Sequence, residues 1–240
     1  MNILILTDNE FLYISFKKLI MGCDFEGIKF DYFYSYNNEF LQKKCINNFK
    51  AINLKKKCDV IIENYDLVFS LHCKQLFPPE LVKSVRCVNV HPGLNPHNRG
   101  WFPQVFSIIN KLPIGVTIHE MDEELDHGPI IVQKELEIRA WETSYDVYQR
   151  IQELEIELIR ENLLKIINNE YKAVQPNSEG NVNLKKDFNE LCEIDLDKKV
   201  SYREAIDFFR SMSFKGYKNA YFHDEEGNKI FVEIELEKEE

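Results

Sequence analysis

The sequence lacks any apolar run near the roughly 20 residues that a membrane-spanning helix requires, so no membrane role is expected for these 240 residues. It lacks the marks of a secretory leader as well. The opening stretch, MNILILTDNE, has no basic residue before its apolar run and acidic residues directly after it. It reads as a first β-strand. Glycine-rich phosphate loops are missing. The first strand candidate runs into TDNEFL without a glycine, whereas a dinucleotide pyrophosphate needs close approach to bare backbone. There is no G-x-x-x-x-G-K-[ST] motif and no G-x-S-x-G elbow. Positive charge is scarce: 30 Lys and Arg stand against 40 Asp and Glu, a formal net charge of −10. That argues against nucleic acid as a partner, which calls for clustered cations. The short basic clusters at 54–58 and 184–187 are flanked by acids and read as solvated faces. Paired cysteine spacing is absent too. Cys23, Cys45, Cys58, Cys73, Cys87 and Cys192 read as free thiols in a reducing cytoplasm.

What is present is alternation of strand-like and helix-like segments. Strand candidates lie at 2–8, 28–36, 65–73 and 85–91, separated by helix-sized stretches. This order predicts parallel βαβ units and an open α/β sheet, with ligands beyond the carboxyl ends of the strands. Two further strands are predicted at 114–122 and 128–138, joined by the tight segment EELDHG. Thr143, with Asp146 after it, caps a long amphipathic helix running to about Ile167. The turn-rich stretch VQPNSEGNVN (174–183) marks a boundary, giving expected domains 1–177 and 178–240. In the second, Ser201 and Glu204 form a capping box for one helix. Residues 216–237 then read as a β-hairpin with DEEGN as its turn and Ile230, Val232, Ile234 and Leu236 on one face.

One stretch stands apart. In VNVHPGLNPHNRGWFPQVF (88–106) a short apolar strand ends in Asn89 and His91, then prolines, glycines, Arg99 and aromatics follow. Residues two apart on a strand face the same way. Asp126 lies in the tight loop after the next strand. An amide, an imidazole and a carboxylate are parts for acyl transfer: Asn meets an oxygen gaining charge, and His moves a proton near neutral pH. No side chain reads as a covalent nucleophile, so the attacking group belongs to the substrate, most simply an amine. A capped turn is the competing account of Asn89 and His91. His91, His97, His119 and His127 match no common zinc spacing, so no metal is expected.

NVHPGLNPHNRG followed by GVTIHEMDEELDHGPII closely resembles the formyltransferases that use 10-formyltetrahydrofolate, in which Asn-x-His-Pro-x-x-x-Pro-x-x-x-Gly precedes a Gly-x-Thr segment ending in Asp-x-Gly. The likeness covers roughly residues 1 to 170. It implies a formyltransferase-type, Rossmann-like open α/β sheet, here with a small C-terminal helix and β-hairpin extension. It implies 10-formyltetrahydrofolate as formyl donor and Asn89, His91 and Asp126 as the catalytic trio. Lys74, Gln75 and Leu76 would contact the pterin, and the loop from Met121 to Asp126, with Asp122 and Leu125, would line its other side. Core packing is the competing account of Leu76 and Phe77.

The acidic charge and short C-terminal part argue against the tRNA-acting branch, and the terminal helix and hairpin against the purine-precursor branch. NRGWFPQVFSI and YKNAYFHDEEGNKIFV resemble the nucleotide-sugar N-formyltransferases, cytoplasmic enzymes serving surface-polysaccharide synthesis. By that resemblance the substrate is a dTDP-linked amino-dideoxy sugar, first a 3-amino-3,6-dideoxy-glucose or -galactose, with the 4-amino sugar as the near alternative. Trp101, Phe102, Tyr217, Tyr221 and Phe222 are candidates for the base, and Arg99, Arg210, Lys215 and Lys218 for the diphosphate. Trp101 and Gln104 would meet the hexose. The apolar hairpin stripe predicts a homodimer. A non-catalytic folate or nucleotide sensor on the same scaffold is the competing class.

Overall fold

The structure, a computed structural model, describes residues 1–23 and 25–239. In chain order the elements are β1 (Asn2–Thr7), α1 (Glu10–Met21), β2 (Lys29–Ser35), α2 (Glu39–Lys44), β3 (Phe49–Ile52), α3 (Leu54–Asn64), β4 (Leu67–Leu71), α4 (Pro79–Ser84) and β5 (Arg86–His91). Then come β6 (Arg99–Gly100), α5 (Pro103–Asn110), β7 (Ile114–Glu120), β8 (Ile130–Leu136) and α6 (Ser144–Ile167). The last are β9 (Val182–Asn183), α7 (Lys185–Leu191), α8 (Tyr202–Met212), β10 (Tyr221–His223) and β11 (Lys229–Phe231). They form two compact units. One comprises Met1–His91, Val116–Lys134 and Leu154–Asn177, the other Pro92–Gly115, Glu135–Glu153 and Ser178–Glu240.

The first unit is built on a sheet of order β3-β2-β1-β4-β5-β7-β8. β1 pairs in parallel with both β2 and β4, and β5 runs parallel to β4. β7 turns antiparallel to β5. Strand β1 explains its own place: Ile3, Leu4, Ile5 and Leu6 are all fully buried, as a continuous apolar run requires when helices cover both faces. Asparagines start three of the helices. Asn9, Asn38 and Asn53 each accept a backbone N–H of the first turn with the side-chain oxygen, satisfying a donor that the helix leaves open. Thr143 and Asp146 cap α6 as expected, with Thr143 N–H donating to Asp146 Oδ2 at 2.9 Å. Arg86 closes the far end of α6, donating to the carbonyls of Ile166 and Ile167. The edge strand β3 was hidden in what reads as a helix-sized stretch. It has four residues, and its Lys50 and Ala51 are exposed, so no alternation announces it. A short edge strand carrying Lys also resists pairing with other chains.

The second unit has a core of Val105, Phe106, Phe188, Met212 and Ala220. The Ser201–Glu204 capping box on α8 is present. The hairpin is shorter than its sequence suggests. Only Tyr221–His223 and Lys229–Phe231 pair, about a turn in which Asp224 accepts the N–H of Asn228 at 2.8 Å and Gly227 takes a φ of 81°. One further bond follows in the same register, Val232 N–H donating to the Ala220 carbonyl, and Ile234 N–H then turns to Ser213 Oγ, both at 2.9 Å. Val232, Ile234 and Leu236 are therefore half-buried within their own chain, while Ile230 and Phe231 remain exposed.

Candidate active site

Strand β5 delivers Asn89 and His91 to one face, and the β7–β8 turn brings Asp126 to them. The Asn89 amide nitrogen donates to Asp126 Oδ1 at 2.9 Å. His91 Nδ1 lies 3.4 Å from Asp126 Oδ2. Both strand residues are buried. Asp126 reaches them from a left-handed backbone, with φ 48°, a region that Asp tolerates better than most residues. Gly128, two positions on, allows the turn. A Cβ there would stand 1.9 Å from the Glu120 carbonyl oxygen. The Asp-x-Gly spacing is thus a packing demand: the turn must press against β7 for the carboxylate to arrive.

A fourth side chain joins these three. The register of β5 on β7 sets His119 opposite Asn89. His119 Nδ1 lies 2.7 Å from the Glu120 carbonyl oxygen. A carbonyl only accepts, so Nδ1 carries the proton and Nε2 of the neutral ring is an acceptor. Asn89 Nδ2 lies 3.3 Å from that Nε2. His119 also stands 3.7 Å from Asp126. In the sequence His119 stands out only among histidines that match no zinc spacing; its strand parity with Thr117 is the available signal. Among the described residues, no group of three or more His, Cys, Asp or Glu is arranged to hold a metal ion.

The loop after β4 carries Lys74, Gln75 and Leu76. Leu76 is 82% exposed, so core packing does not account for it, whereas Phe77 does pack against the core. Lys74 is exposed, and its backbone N–H donates to Asp8 Oδ2 at 2.7 Å. The Gln75 side chain is engaged within the chain. Its side-chain oxygen accepts the Leu54 N–H and its side-chain nitrogen donates to the Ile52 carbonyl, each at 3.0 Å. Both ends of the amide hold the loop to the β3–α3 junction. In the second loop Asp122 is similarly engaged, accepting from Glu124 N–H at 2.9 Å and lying 2.7 Å from His127 Nδ1. Its carboxylate builds the turn. Met121 donates its N–H to the Cys87 carbonyl at 2.8 Å, and Met121 and Leu125 are half-buried.

In the second unit, Arg99 is 6% exposed and its Nε is buried without a hydrogen-bond partner. A buried guanidinium nitrogen without an acceptor is costly unless a ligand supplies one. Its backbone is fixed from both sides. Arg99 N–H donates to the Asn181 carbonyl at 3.0 Å and Trp101 N–H to that of Asn183 at 2.8 Å. Asn98, fully buried at φ 51°, donates to Ser107 Oγ at 2.9 Å and accepts from Asn181 at 2.8 Å and Asn183 at 3.1 Å. The stretch around 180 therefore holds the motif loop in place. Asn98, Asn181 and Asn183 were not singled out in the sequence.

The other expected contacts divide. Trp101 is half-buried 5.7 Å from Phe102, while Phe102 stacks on Phe188 at 4.2 Å and is a core side chain. Gln104 is buried on α5. Arg210 is engaged within the chain. Its Nε donates to Asp207 at 2.7 Å and its Nη1 to the carbonyls of Arg139 at 3.1 Å and Glu142 at 2.9 Å, so it ties α8 to the 139–142 turn. Tyr221 has Lys229 Nζ 3.6 Å from its ring centroid. Lys215 and Tyr217 are exposed, and Lys218 lies over Phe231.

Comparison with known proteins bears on this arrangement. Residues 41–163 match the formyl transferase family, and residues 187–238 match the N-formyltransferase dimerization C-terminal domain. The dTDP-4-amino-4,6-dideoxyglucose formyltransferase of Mycobacterium bovis is 50% identical over 189 residues, 76% of this chain and 81% of that one. A 4-N formyltransferase from Francisella tularensis superposes with a TM-score of 0.94 at 52% identity, covering 99% of this chain and 98% of that one. A sugar N-formyltransferase from Shewanella gives 0.93 at 42% identity, over 100% and 99% of the two chains. WlaRD, a sugar 3N-formyl transferase, shares the fold at 23% identity, with a TM-score of 0.70 over 92% of this chain and 82% of its own. The chain belongs to the formyl transferase family, among its sugar N-formyltransferases.

Proposed function

We propose that the chain transfers the formyl group of 10-formyltetrahydrofolate to the 4-amine of dTDP-4-amino-4,6-dideoxyglucose, as a step toward a surface polysaccharide. The observation that carries the chemistry is the contact of Asn89 and His91 with one carboxylate, Asp126. A carboxylate repels the amide oxygen, so Asp126 turns the Asn89 nitrogen toward the reacting centre. Of the two Asn89 contacts, the 3.3 Å one to His119 is the weaker. An oxyanion, a charged acceptor, displaces it. The substrate amine forms its bond to the formyl carbon, the bond from that carbon to N10 of the folate breaks, and the amine's proton ends on N10. His91, oriented through Nδ1 by Asp126, handles that proton. Exposed Leu76 fits an apolar, flat co-substrate.

Arg99 supports the diphosphate. Its buried Nε has no internal acceptor, and a phosphoryl oxygen supplies one. Trp101 supports the sugar or base. The 4-amino sugar replaces the 3-amino sugar as first reading because relatives named for the 4-position share about half their residues with this chain. Those named for the 3-position share the fold. The dimerization-domain match supports a homodimer, with Tyr202, Ile206, Ile230 and Phe231 as exposed apolar surface. A monomeric mass by light scattering overturns that assembly.

The test is incubation with 10-formyltetrahydrofolate and, separately, the dTDP-4-amino and dTDP-3-amino sugars, reading product mass. Formylation of the 4-amino sugar is expected. Turnover of the 3-amino sugar alone refutes the position. Folate binding without any turnover turns the reading to a sensor.

A further inference from the structure

Glu155, on α6, is fully buried, with 0% exposure. One carboxylate oxygen, Oε1, lies 2.7 Å from Nε2 of His72, and the other, Oε2, is buried without a hydrogen-bond partner. A buried carboxylate held at one oxygen is unfavourable on its own, and the proposed chemistry does not use it. Burial raises its pKa and His72 opposes the rise.

His72 is the first residue after β4 and takes a φ of 59°, a left-handed conformation uncommon outside glycine but more accessible to His than to most residues. The loop springs from it. Asp8 holds the Lys74 N–H at 2.7 Å, and Gln75 holds the backbone of Ile52 and Leu54. Leu76 follows, exposed. The loop is thus held at Asp8 just after β1, at Ser35 of β2 through Cys73 Sγ at 3.8 Å, at the β3–α3 junction and on α6. Glu155 supplies the last of these.

We infer that Glu155 and His72 are a positioning pair: the buried carboxylate fixes the His72 ring, and with it the left-handed residue that sets how Leu76 and its backbone meet the formyl donor. This rests on the 74–76 loop being the folate-facing one, as proposed above. Neither residue touches the reacting atoms.

Two variants test the pair. Glu155→Gln removes the charge and keeps the shape. His72→Asn combined with Glu155→Leu leaves no buried carboxylate unpaired, and Asn tolerates a positive φ. The double variant decides if the single one does not fold. Each is titrated with 5-formyltetrahydrofolate and, as control, dTDP. The expected result is about tenfold weaker folate binding with dTDP affinity changed by less than about twofold, the scale of one lost charge-assisted hydrogen bond. In ligand-free protein, hydrogen exchange at the Lys74 amide should quicken. Unchanged folate affinity in a folded variant overturns the inference, and so does an equal loss of dTDP affinity, which marks a general structural role. If the wild-type chain binds no folate, the functional reading fails. Exchange at Lys74 then decides the pair alone, and an unchanged rate overturns it.

Discussion

The Asn89 side-chain nitrogen and Asp126 Oδ1 stand 2.9 Å apart, and this one contact orients both halves of the proposed catalytic apparatus. It fixes which end of the amide points inward, and it holds the carboxylate that reaches His91. Asp126→Asn keeps the volume but lets the Asn89 amide turn over, because an amide partner accepts either end. Turnover is expected to fall by about 100-fold or more, the scale of a lost acid–base element. The urea midpoint should move little. Single-turnover formylation measures the first and equilibrium unfolding the second. Near-normal turnover would remove Asp126 from the mechanism.

His119 is expected to act on kcat rather than on binding. It receives the second Asn89 N–H at 3.3 Å, and its bond to the Glu120 carbonyl selects the tautomer that leaves Nε2 of the neutral ring as acceptor. His119→Phe removes that acceptor and leaves the ring volume. Because that contact gives way to the oxyanion, its loss removes a ground-state interaction only, and kcat is expected to rise by up to about tenfold, the scale of one neutral hydrogen bond. The KM for the amino sugar should stay close to wild type. A KM effect without a kcat effect would place His119 in substrate binding.

Asn98 is the keystone of the Arg99 loop. Its side chain makes three hydrogen bonds inside the protein, to Ser107, Asn181 and Asn183, while its φ of 51° suits Asn or Gly. Asn98→Gly keeps the backbone and removes the network, at a cost of about 2–3 kcal/mol. Asn98→Ala adds the strain of a left-handed alanine, about 1 kcal/mol more. Urea unfolding checks the order Gly above Ala. In both, the KM for the dTDP-sugar should rise. Equal stability of the two variants would deny the backbone argument.

The strand framework and the convergence of Asn89, His91 and Asp126 are legible because each depends on local pattern. Apolar runs such as Ile3–Leu6 announce central strands, and Asn89, His91 and Asp126 occupy fixed motif spacings. What escaped depends on distant partners. Gln75 and Arg210 carry side chains that bind a ligand or a backbone equally well, and only the fold shows Ile52, Leu54, Arg139 and Glu142 waiting for them. β3 has too few half-buried positions to show a period. The hairpin reads longer than it is because Val232, Ile234 and Leu236 alternate in burial, while the ladder ends at the Val232 bond to Ala220 and Ile234 meets Ser213 instead. The 3-amino preference rested on resemblance in wording, and no residue in the chain reports the amine's position by its spacing.

The acid limb of the stability profile should report Asp207. This carboxylate joins Lys111, at the end of α5, to Arg210 on α8. Burial raises its pKa, but the hydrogen bonds and charges of Lys111 and Arg210 outweigh burial, and the net direction is down. A group with a depressed folded pKa stabilises fully above its unfolded value, about 3.9 for Asp, and that stabilisation disappears as pH falls through the folded value. The contribution is therefore constant near neutrality and lost below about pH 4. Asp207→Asn is expected to lower stability by about 2 kcal/mol at pH 7, between the limits for exposed and buried pairs. Arg210 keeps its two carbonyl acceptors, which limits the loss. The variant and wild-type curves should converge as pH drops. Urea midpoints from pH 7 to pH 3 measure the gap; a gap that widens toward acid would reverse the assigned direction.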